Sequence, residues 1–475
     1  MRLEEILKNT GAVCPKGLEN LEISLVECDS RKVKKDALFV AIKGFQSDGH
    51  KFINKAIEQG AKVIVGEDEC DVENYIRVSD SRKFLALSSA NFFKNSHKKL
   101  KIIGITGTNG KTTVSYLIRQ IIELKGHKCS LIGTNQIIVG NEIIDAERTT
   151  PESRELHELF KRMVDAGSEY VVMEVSSHSL ELDRVYGLEF ECGVFTNLTQ
   201  DHLDFHETMD NYAKAKAKLF NVSKTSVINI DDAYFSVMAE NAKGLISCSI
   251  KGESTLRAEN IKMSERGVIF DAVYNGERRT IRLGIPGEFS VYNALSACGA
   301  ALNLGFGLED IEKGLVLARG VKGRLEVVPT ATEYTVIIDY AHTPDGLENV
   351  IRAVKGFAKG RVITLFGCGG DRDNTKRPIM GSIAENLSDF VIVTSDNPRT
   401  EEPGNIIKDI LNGMKKDNHH VVENRKEAIG YAMNFAKAGD VIVLAGKGHE
   451  TYQIFKEGTI HFDEREVVKE FLLNK

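Results

Sequence analysis

A run of glycine, lysine and threonine between an apolar strand and an amphipathic helix is the first feature of the 475-residue sequence that could do chemistry. It reads Gly107-Thr108-Asn109-Gly110-Lys111-Thr112-Thr113, after KIIGIT and before VSYLIRQIIELKG. Glycines let backbone N–H groups turn toward phosphate oxygens, a helix N-terminus adds positive potential, and a lysine supplies charge. The threonine hydroxyl after the lysine can reach Mg²⁺. The order predicts a phosphate-binding loop; the alternative is a glycine-rich turn with a solvated lysine.

Acidic and histidine side chains follow two further predicted strands. Glu174 lies near the end of YVVMEV, and the segment DHLDFH (201–206) comes just after CGVFTN. In a doubly wound sheet, the carboxyl ends of the strands border the ligand crevice. The cluster lacks the cysteine or helical H-x-x-x-H spacing of a zinc site, and a hard cation beside phosphate fits it better. We predict that Glu174 points into this crevice, the alternative being an ordinary capping carboxylate. We also predict that His202 contacts metal or phosphate and that His206 makes a structural hydrogen bond.

One lysine of the predicted helix TMDNYAKAKAKLF is placed differently from its neighbours. Residues three and four apart share a helix face, which places Lys216 on the apolar stripe with Tyr212 and Phe220. The same spacing pairs Lys214 and Lys218 on another stripe. A lysine in apolar surroundings loses its preference for charge, and the neutral amine can react with CO₂ to give a metal-binding carbamate. The alternative is a side chain whose ammonium reaches water.

Four polar loops near the carboxyl terminus each follow an apolar strand. They are DYAHTP (339–344), GCGGDRD (367–373), DNPRT (396–400) and GKGHE (446–450). Loops after parallel strands meet at one edge of a sheet, so we expect a shared recognition surface for a zwitterion. Arg372 and Arg399 suit carboxylates, and Glu450 suits an ammonium.

The elements that must position these groups alternate between strand and helix along the chain, which predicts an α/β fold of parallel sheets covered on both faces. We predict three domains: residues 1–98, a central phosphate-loop domain (99–329) resembling an ATPase, and a Rossmann-like carboxy-terminal domain (330–475). With 62 basic and 68 acidic residues the net charge is −6, which argues against adhesion to nucleic acid or acidic membranes. No apolar run approaches the roughly 18 residues of a membrane span. We therefore expect a cytoplasmic protein. A monomer is a separate expectation that these features do not establish.

Taken in order, these motifs resemble the Mur ligases over nearly the whole chain. The segments that carry the resemblance are DSRKVKKDALFVAIKG, TGTNGKTT, RTTPE, MEVSSH, FTNLTQDHLDFH, NYAKAKAKLF, GRLE, DYAHTPD, FGCGGDRD, DNPRTEEP and AGKGHE. The resemblance implies ATP-dependent amide ligation in peptidoglycan precursor synthesis. The substrates would be UDP-N-acetylmuramoyl-L-alanyl-D-glutamate, activated at its γ-carboxylate as an acyl phosphate, and meso-2,6-diaminopimelate. The DNPR loop looks like the version in enzymes that add diaminopimelate rather than L-lysine.

The resemblance also implies roles for individual residues. It places ATP at Gly107, Thr108, Asn109, Gly110, Lys111, Thr112, Thr113, Asn293, Arg324 and Asp339. It places Mg²⁺ near Thr112, Glu174, His202 and a carbamylated Lys216, and makes Lys111, Lys216, His202 and Glu174 catalytic. The UDP-linked dipeptide would contact Ser30, Phe45, Gln46, Ser47, Thr149, Thr150, Ser176 and Arg184. The amino acid would contact Arg372, Asp396, Asn397, Pro398, Arg399, Gly446 and Glu450.

Three other functions share part of this pattern. An L-lysine-adding ligase differs in its acceptor pocket. Folylpolyglutamate synthetase has a similar phosphate loop and acyl-phosphate chemistry, but the DSR-containing amino-terminal segment and the DNPR loop argue against it. A phosphate-loop switch or transport ATPase would hydrolyse nucleotide without any small amine acceptor.

Overall fold

The computed structural model describes residues 1–44, 47–318 and 320–473. The chain divides into two compact units, Met1–Arg257 with Leu295–Ile311, and Ala258–Ala294 with Glu312–Lys475. This division does not follow the predicted domain boundaries at 98/99 and 329/330, which stay a prediction. Among the described residues, no helix combines the length and apolarity needed to cross a membrane.

The amino-terminal part of the first unit is a small parallel sheet with three helices. Its strands are β1 (Leu25–Glu27), β2 (Ala37–Val40), β3 (Ala61–Gly66) and β4 (Tyr75–Arg77), and its helices are α1 (Leu3–Leu7), α2 (Ile53–Glu58) and α3 (Ser81–Phe92). The strands lie in chain order, each parallel to the next. Strand β2 is buried along its whole length. The turn after α2 contains Gly60 at φ +102°, a backbone conformation that favours glycine.

The rest of the first unit surrounds a larger sheet. Its strands are β5 (Lys101–Thr106), β6 (Cys129–Ile132), β7 (Gln136–Val139), β8 (Glu142–Asp145), β9 (Tyr170–Glu174), β10 (Phe190–Phe195), β11 (Ser223–Asn229) and β12 (Leu245–Ser249). Its helices are α4 (Lys111–Leu124), α5 (Ser153–Asp165), α6 (Ser177–Glu181), α7 (Leu203–His206), α8 (Met209–Asn221) and α9 (Phe235–Ala239). The order is β12-β11-β10-β5-β9-β6-β7-β8, and β12 through β6 run parallel. The carboxyl ends of β5, β9 and β10 therefore meet at one edge, where the predicted site residues lie.

Three elements contain a boundary between the units: β13 (Leu256–Ser264), α10 (Glu288–Asn303) and α11 (Leu308–Val316). The second unit adds the hairpin of β14 (Gly267–Tyr274) and β15 (Glu277–Leu283). Its main sheet has β16 (Glu326–Val328), β17 (Thr335–Asp339), β18 (Val362–Phe366), β19 (Phe390–Val393), β20 (His419–Val421) and β21 (Val441–Ala445). A second hairpin joins β22 (Tyr452–Phe455) and β23 (Gly458–His461), and the helices are α12 (Pro344–Lys355), α13 (Lys376–Leu387), α14 (Pro403–Leu411), α15 (Arg425–Phe435) and α16 (Glu464–Leu473).

The main sheet of the second unit is buried on both faces. Its order is β16-β17-β21-β18-β19-β20, and only β16 is antiparallel. Along β21, Val441 and Val443 belong to one apolar cluster and Ile442 and Leu444 to another, because successive side chains of a strand point to opposite faces. This arrangement confirms the Rossmann-like prediction.

Candidate active site

The predicted phosphate loop, residues 107–113, follows β5 and depends on two glycines. Gly107 has φ +146° and Gly110 has φ +86°, both in the region that favours glycine. A Cβ atom at Gly107 would lie 2.0 Å from Oγ1 of Thr196. Glycine at this position therefore lets the loop pass directly over the end of β10.

Residues after β10 hold the loop in place. Oγ1 of Thr196 donates to the carbonyl of Asn109 at 2.6 Å, and the N–H of Asn109 donates to Oδ1 of Asn197 at 3.0 Å. The hydroxyls of Thr108 and Tyr212 lie 3.2 Å apart. Sequence reasoning missed Thr196, Asn197 and Tyr212 as supports, although their place after a parallel strand or on the lysine's stripe was a usable signal.

Two lysines approach the carbonyl groups of this loop. Nζ of Lys111 donates to the carbonyls of Gly107 at 3.0 Å and Thr108 at 2.9 Å. Nζ of Lys216 donates to the same Gly107 carbonyl at 2.9 Å. Half-buried Thr112 and Thr113 follow in the first turn of α4.

Lys216 is buried, as its position on the apolar stripe predicts. Its side chain is 1% exposed, whereas Lys214 and Lys218 of the same helix are exposed. Burial lowers the pKa of Lys216 well below its ordinary value, and the charge of Lys111 acts in the same direction. Both effects shift the equilibrium of this amine toward its uncharged form.

Glu174, the last residue of β9, is fully buried. Its Oε1 accepts the backbone N–H of Thr134 at 3.1 Å, and its Oε2 accepts the Thr134 hydroxyl at 2.9 Å. A Cβ atom at Gly133 would lie 2.5 Å from Oε1. The carboxylate is thus held by the loop after β6, which the sequence analysis did not identify.

The two histidines of DHLDFH have different surroundings. Nε2 of His206 lies 2.9 Å from the hydroxyl of Ser177, which confirms the predicted structural hydrogen bond. Burial lowers the pKa of His206 to about 4. His202 is exposed, with φ +53°, and its ring centroid lies 4.8 Å from that of His178. Its imidazole is open to a ligand from solvent, so its role as a metal contact stays a prediction.

Four of the eight residues predicted to meet the UDP-linked dipeptide form a hydrogen-bonded group next to Glu174. The hydroxyl of Thr150 donates to the carbonyl of Glu174 at 2.9 Å and accepts the N–H of Ser176 at 3.1 Å. Nη1 of Arg184 donates to the carbonyl of Thr150 at 3.2 Å. The hydroxyl of Thr149 lies 3.0 Å from the hydroxyl of Thr134. This contact connects the group to Thr134, the residue that donates to the Glu174 carboxylate.

A polar cavity of about 260 Å³ lies between the amino-terminal sheet and the segment before α5. Asp29 and Arg31 line one side, and Glu147 and Arg148 line the other. Ser30, between the first two, is buried, and Ser47 is exposed. The other two residues predicted for this region, Phe45 and Gln46, lie outside the described residues.

The second unit brings the four predicted loops to one edge of its main sheet, as expected from the parallel strands. Nη1 of Arg399 donates to the carbonyl of Gly370 at 2.8 Å, and Nδ2 of Asn397 donates to Oε2 of Glu450 at 3.0 Å. Gly370 packs directly against Pro398, because a Cβ atom at Gly370 would lie 1.9 Å from the carbonyl oxygen of Pro398.

The remaining residues predicted to contact the amino acid differ in their packing. A Cβ atom at Gly446 would lie 2.7 Å from Oδ2 of buried Asp396. The exposed Arg372 donates only to the carbonyl of its neighbour Asp371 among the described residues. Its guanidinium is therefore available to a ligand.

The second unit also contains three of the ten residues predicted to contact the nucleotide. Oδ2 of Asp339 accepts the N–H of Leu325 at 2.8 Å, and burial raises the pKa of this carboxyl while Arg324 opposes the rise. The guanidinium carbon of Arg324 lies 5.4 Å from the ring centroid of Tyr340. Asn293 is buried in α10.

Three family models together match most of the chain. "Mur ligase family, catalytic domain" matches residues 22–101, "Mur ligase middle domain" matches 105–301, and "Mur ligase, glutamate ligase domain" matches 323–448. Proteins named UDP-N-acetylmuramoyl-L-alanyl-D-glutamate--2,6-diaminopimelate ligase are similar over nearly their full lengths. The one from Clostridium botulinum is 54% identical, covering 95% of both chains, and the one from Clostridium tetani is 52% identical, covering 99% of both. A solved structure of a ligase with this name has a TM-score of 0.75 at 32% identity, covering 96% of both chains.

Proposed function

This chain belongs to the Mur ligase family, and from that premise we propose that it joins meso-2,6-diaminopimelate to UDP-N-acetylmuramoyl-L-alanyl-D-glutamate with ATP. The observation that carries the proposal is the buried amine of Lys216, 2.9 Å from the carbonyl of Gly107 in the phosphate loop. A nucleotide switch does not require such an amine. The names of the close relatives favour this activity over L-lysine addition and folylpolyglutamate synthesis.

The first step is activation of the γ-carboxylate of the D-glutamyl residue. A carboxylate oxygen forms a bond to the γ-phosphorus of ATP, the bond to the β,γ-bridging oxygen breaks, and ADP leaves. Both reactants are anions, so positive charge must reduce their repulsion. Lys111 supplies this charge from the loop, and the backbone N–H groups in the first turn of α4 can donate to phosphate oxygens.

The second step transfers the acyl group. The amine nitrogen of the amino acid bonds to the acyl carbon and loses a proton, and inorganic phosphate leaves. The amine must reach the acyl phosphate before water does. The four polar loops of the second unit provide both positive and negative side chains to bind the amino acid. Arg399 and Arg372 would pair with its carboxylates, and Glu450 would pair with an ammonium.

A magnesium ion fits the donors at the phosphate loop. Glu174 is a fully buried carboxylate whose two neutral hydrogen bonds from Thr134 do not neutralise its charge. Together with the hydroxyl of Thr112 it offers the oxygen donors that Mg²⁺ prefers, and His202 and a carbamate on Lys216 would complete the set. The ion would supply charge neutralisation at the phosphates when bound.

Phosphate release with and without the acceptor tests the proposed activity. We expect the purified protein to release phosphate from ATP only when the UDP-linked dipeptide and diaminopimelate are both present. Mass spectrometry should show the dipeptide lengthened by one diaminopimelate residue. Nucleotide consumption at one rate with or without the amino acid, and no lengthened product, would contradict the proposal.

Replacing Arg399 with alanine tests the acceptor pocket. Loss of a charge-assisted pair costs roughly 1.5–3 kcal/mol. We therefore expect the KM for diaminopimelate to rise about 10- to 100-fold while the KM for ATP stays nearly unchanged. The matched control is Arg352→Ala, which removes an exposed arginine paired with Glu348 on α12. Equal effects on both KM values would remove Arg399 from the pocket.

A further inference from the structure

Lys447 is a buried cation without a role in the chemistry above. It follows β21, and its side chain has no exposed surface. Its Nζ donates to Oδ1 of Asn397 at 3.1 Å and to Oε2 of Glu450 at 3.0 Å. Nζ also lies 5.6 Å from the ring centroid of Tyr452. Burying an ammonium is costly, and these three contacts offset part of its lost hydration.

The two carboxylate oxygens of Glu450 have different surroundings. Oε2 accepts from Nζ of Lys447 and from Nδ2 of Asn397, each at 3.0 Å. Oε1 accepts no hydrogen bond from the described part of the chain, and the side chain is 14% exposed. One oxygen therefore orients the carboxylate, and the other is available to a ligand.

The side-chain amide of Asn397 is fixed in one orientation, because exchanging its oxygen and nitrogen would break its hydrogen bonds with Lys447 and Glu450. Its Oδ1 also accepts the N–H of Ile454 at 3.0 Å, and its own carbonyl accepts the N–H of Gly370 at 2.9 Å. With two donors at Oδ1, its Nδ2 must face Glu450. The three side chains form a closed network that is built before any ligand arrives.

We propose that Lys447 is a positioning residue that holds Glu450 ready to accept the second, non-reacting ammonium of the amino acid substrate. This inference rests on the proposed function. A carboxylate that is already oriented does not lose conformational freedom on binding, so its hydrogen bond to the ligand contributes more to affinity. Selectivity for a diamino acid over a monoamino analogue then depends on Lys447, although Lys447 does not touch the ligand.

The test compares two acceptors, meso-2,6-diaminopimelate and 2-aminopimelate, which keeps both carboxylates and one amine. We expect the wild type to prefer diaminopimelate, and Lys447→Met to reduce the ratio of the two kcat/KM values at least about tenfold. The KM for ATP should stay close to the wild-type value. Lys426→Met, which removes an exposed lysine paired with Glu470, should leave the ratio unchanged.

A double-mutant cycle separates positioning from a general structural effect. Glu450→Gln should reduce the same ratio, and adding Lys447→Met to it should reduce the ratio no further, because both act through one carboxylate. Should Lys447→Met fail to fold, Lys447→Gln provides the same test, because it keeps a polar side chain in the network and removes the charge that holds Oε2 of Glu450. A folded Lys447→Met variant that keeps the wild-type preference, or additive losses in the cycle, would overturn the inference. A wild type that never adds diaminopimelate would instead overturn the proposed function.

Discussion

Replacing Lys216 with alanine is expected to lower the rate of product formation by about a thousandfold or more. The neutral amine can form a bond to the carbon of CO₂ and release one proton, which gives a carbamate beside the phosphate loop. Alanine cannot form that anion, so the proposed magnesium site would lose one of its negatively charged ligands. ADP formation and peptide product should fall together, and acetate or another small carboxylate should restore part of the activity.

Lys214→Ala is the matched control, because Lys214 lies on the same helix but is exposed. It should keep wild-type activity, and thermal unfolding should show that both variants are folded. Full activity of the Lys216 variant would contradict the carbamate hypothesis. Loss of activity without any response to a small carboxylate would point instead to a role in supporting the Gly107 carbonyl.

Replacing Lys111 with methionine is expected to lower kcat by about a hundred- to a thousandfold. The variant loses the only charged side chain of residues 107–113, which we propose stabilises the transferred phosphoryl group. It also loses one of the causes that lower the pKa of Lys216, so a larger fraction of that amine would be protonated. Single-turnover measurement of ADP formation would report the effect on the first step directly.

Lys125→Met provides the comparison for that variant. Lys125 caps the same helix and forms a partly exposed ion pair with Asp310, an interaction worth at most about 1 kcal/mol. Its activity should match the wild type. A kcat for Lys111→Met within tenfold of the wild-type value would show that the lysine does not stabilise the transition state.

The sequence was informative wherever a local pattern decides the outcome. Glycine followed by lysine and threonine, between a strand and a helix, predicts a phosphate loop because backbone geometry and helix polarity act over a few residues. The place of Lys216 on the apolar stripe of its helix followed from spacing alone, since 3.6 residues make one helical turn. The meeting of four loops at one sheet edge followed from parallel strands.

Supports that come from distant parts of the chain could not be predicted in this way. Thr134 holds Glu174 across a separation of 40 residues, and Thr196 holds Asn109 across 87. Threonine is common in loops, and nothing in its neighbours indicates which carbonyl or carboxylate it will meet. The same holds for Lys447, whose loop suggested a recognition surface but not a buried ammonium bonded to Glu450.

The amino-acid order by itself determined which groups are present and which strand or helix carries each of them, because periodicity and turn chemistry are local. Only the tertiary structure decided which lysines lose their water and which carboxylate oxygens remain available. Desolvation and hydrogen-bond partners depend on residues that are far apart in the chain and adjacent in the fold.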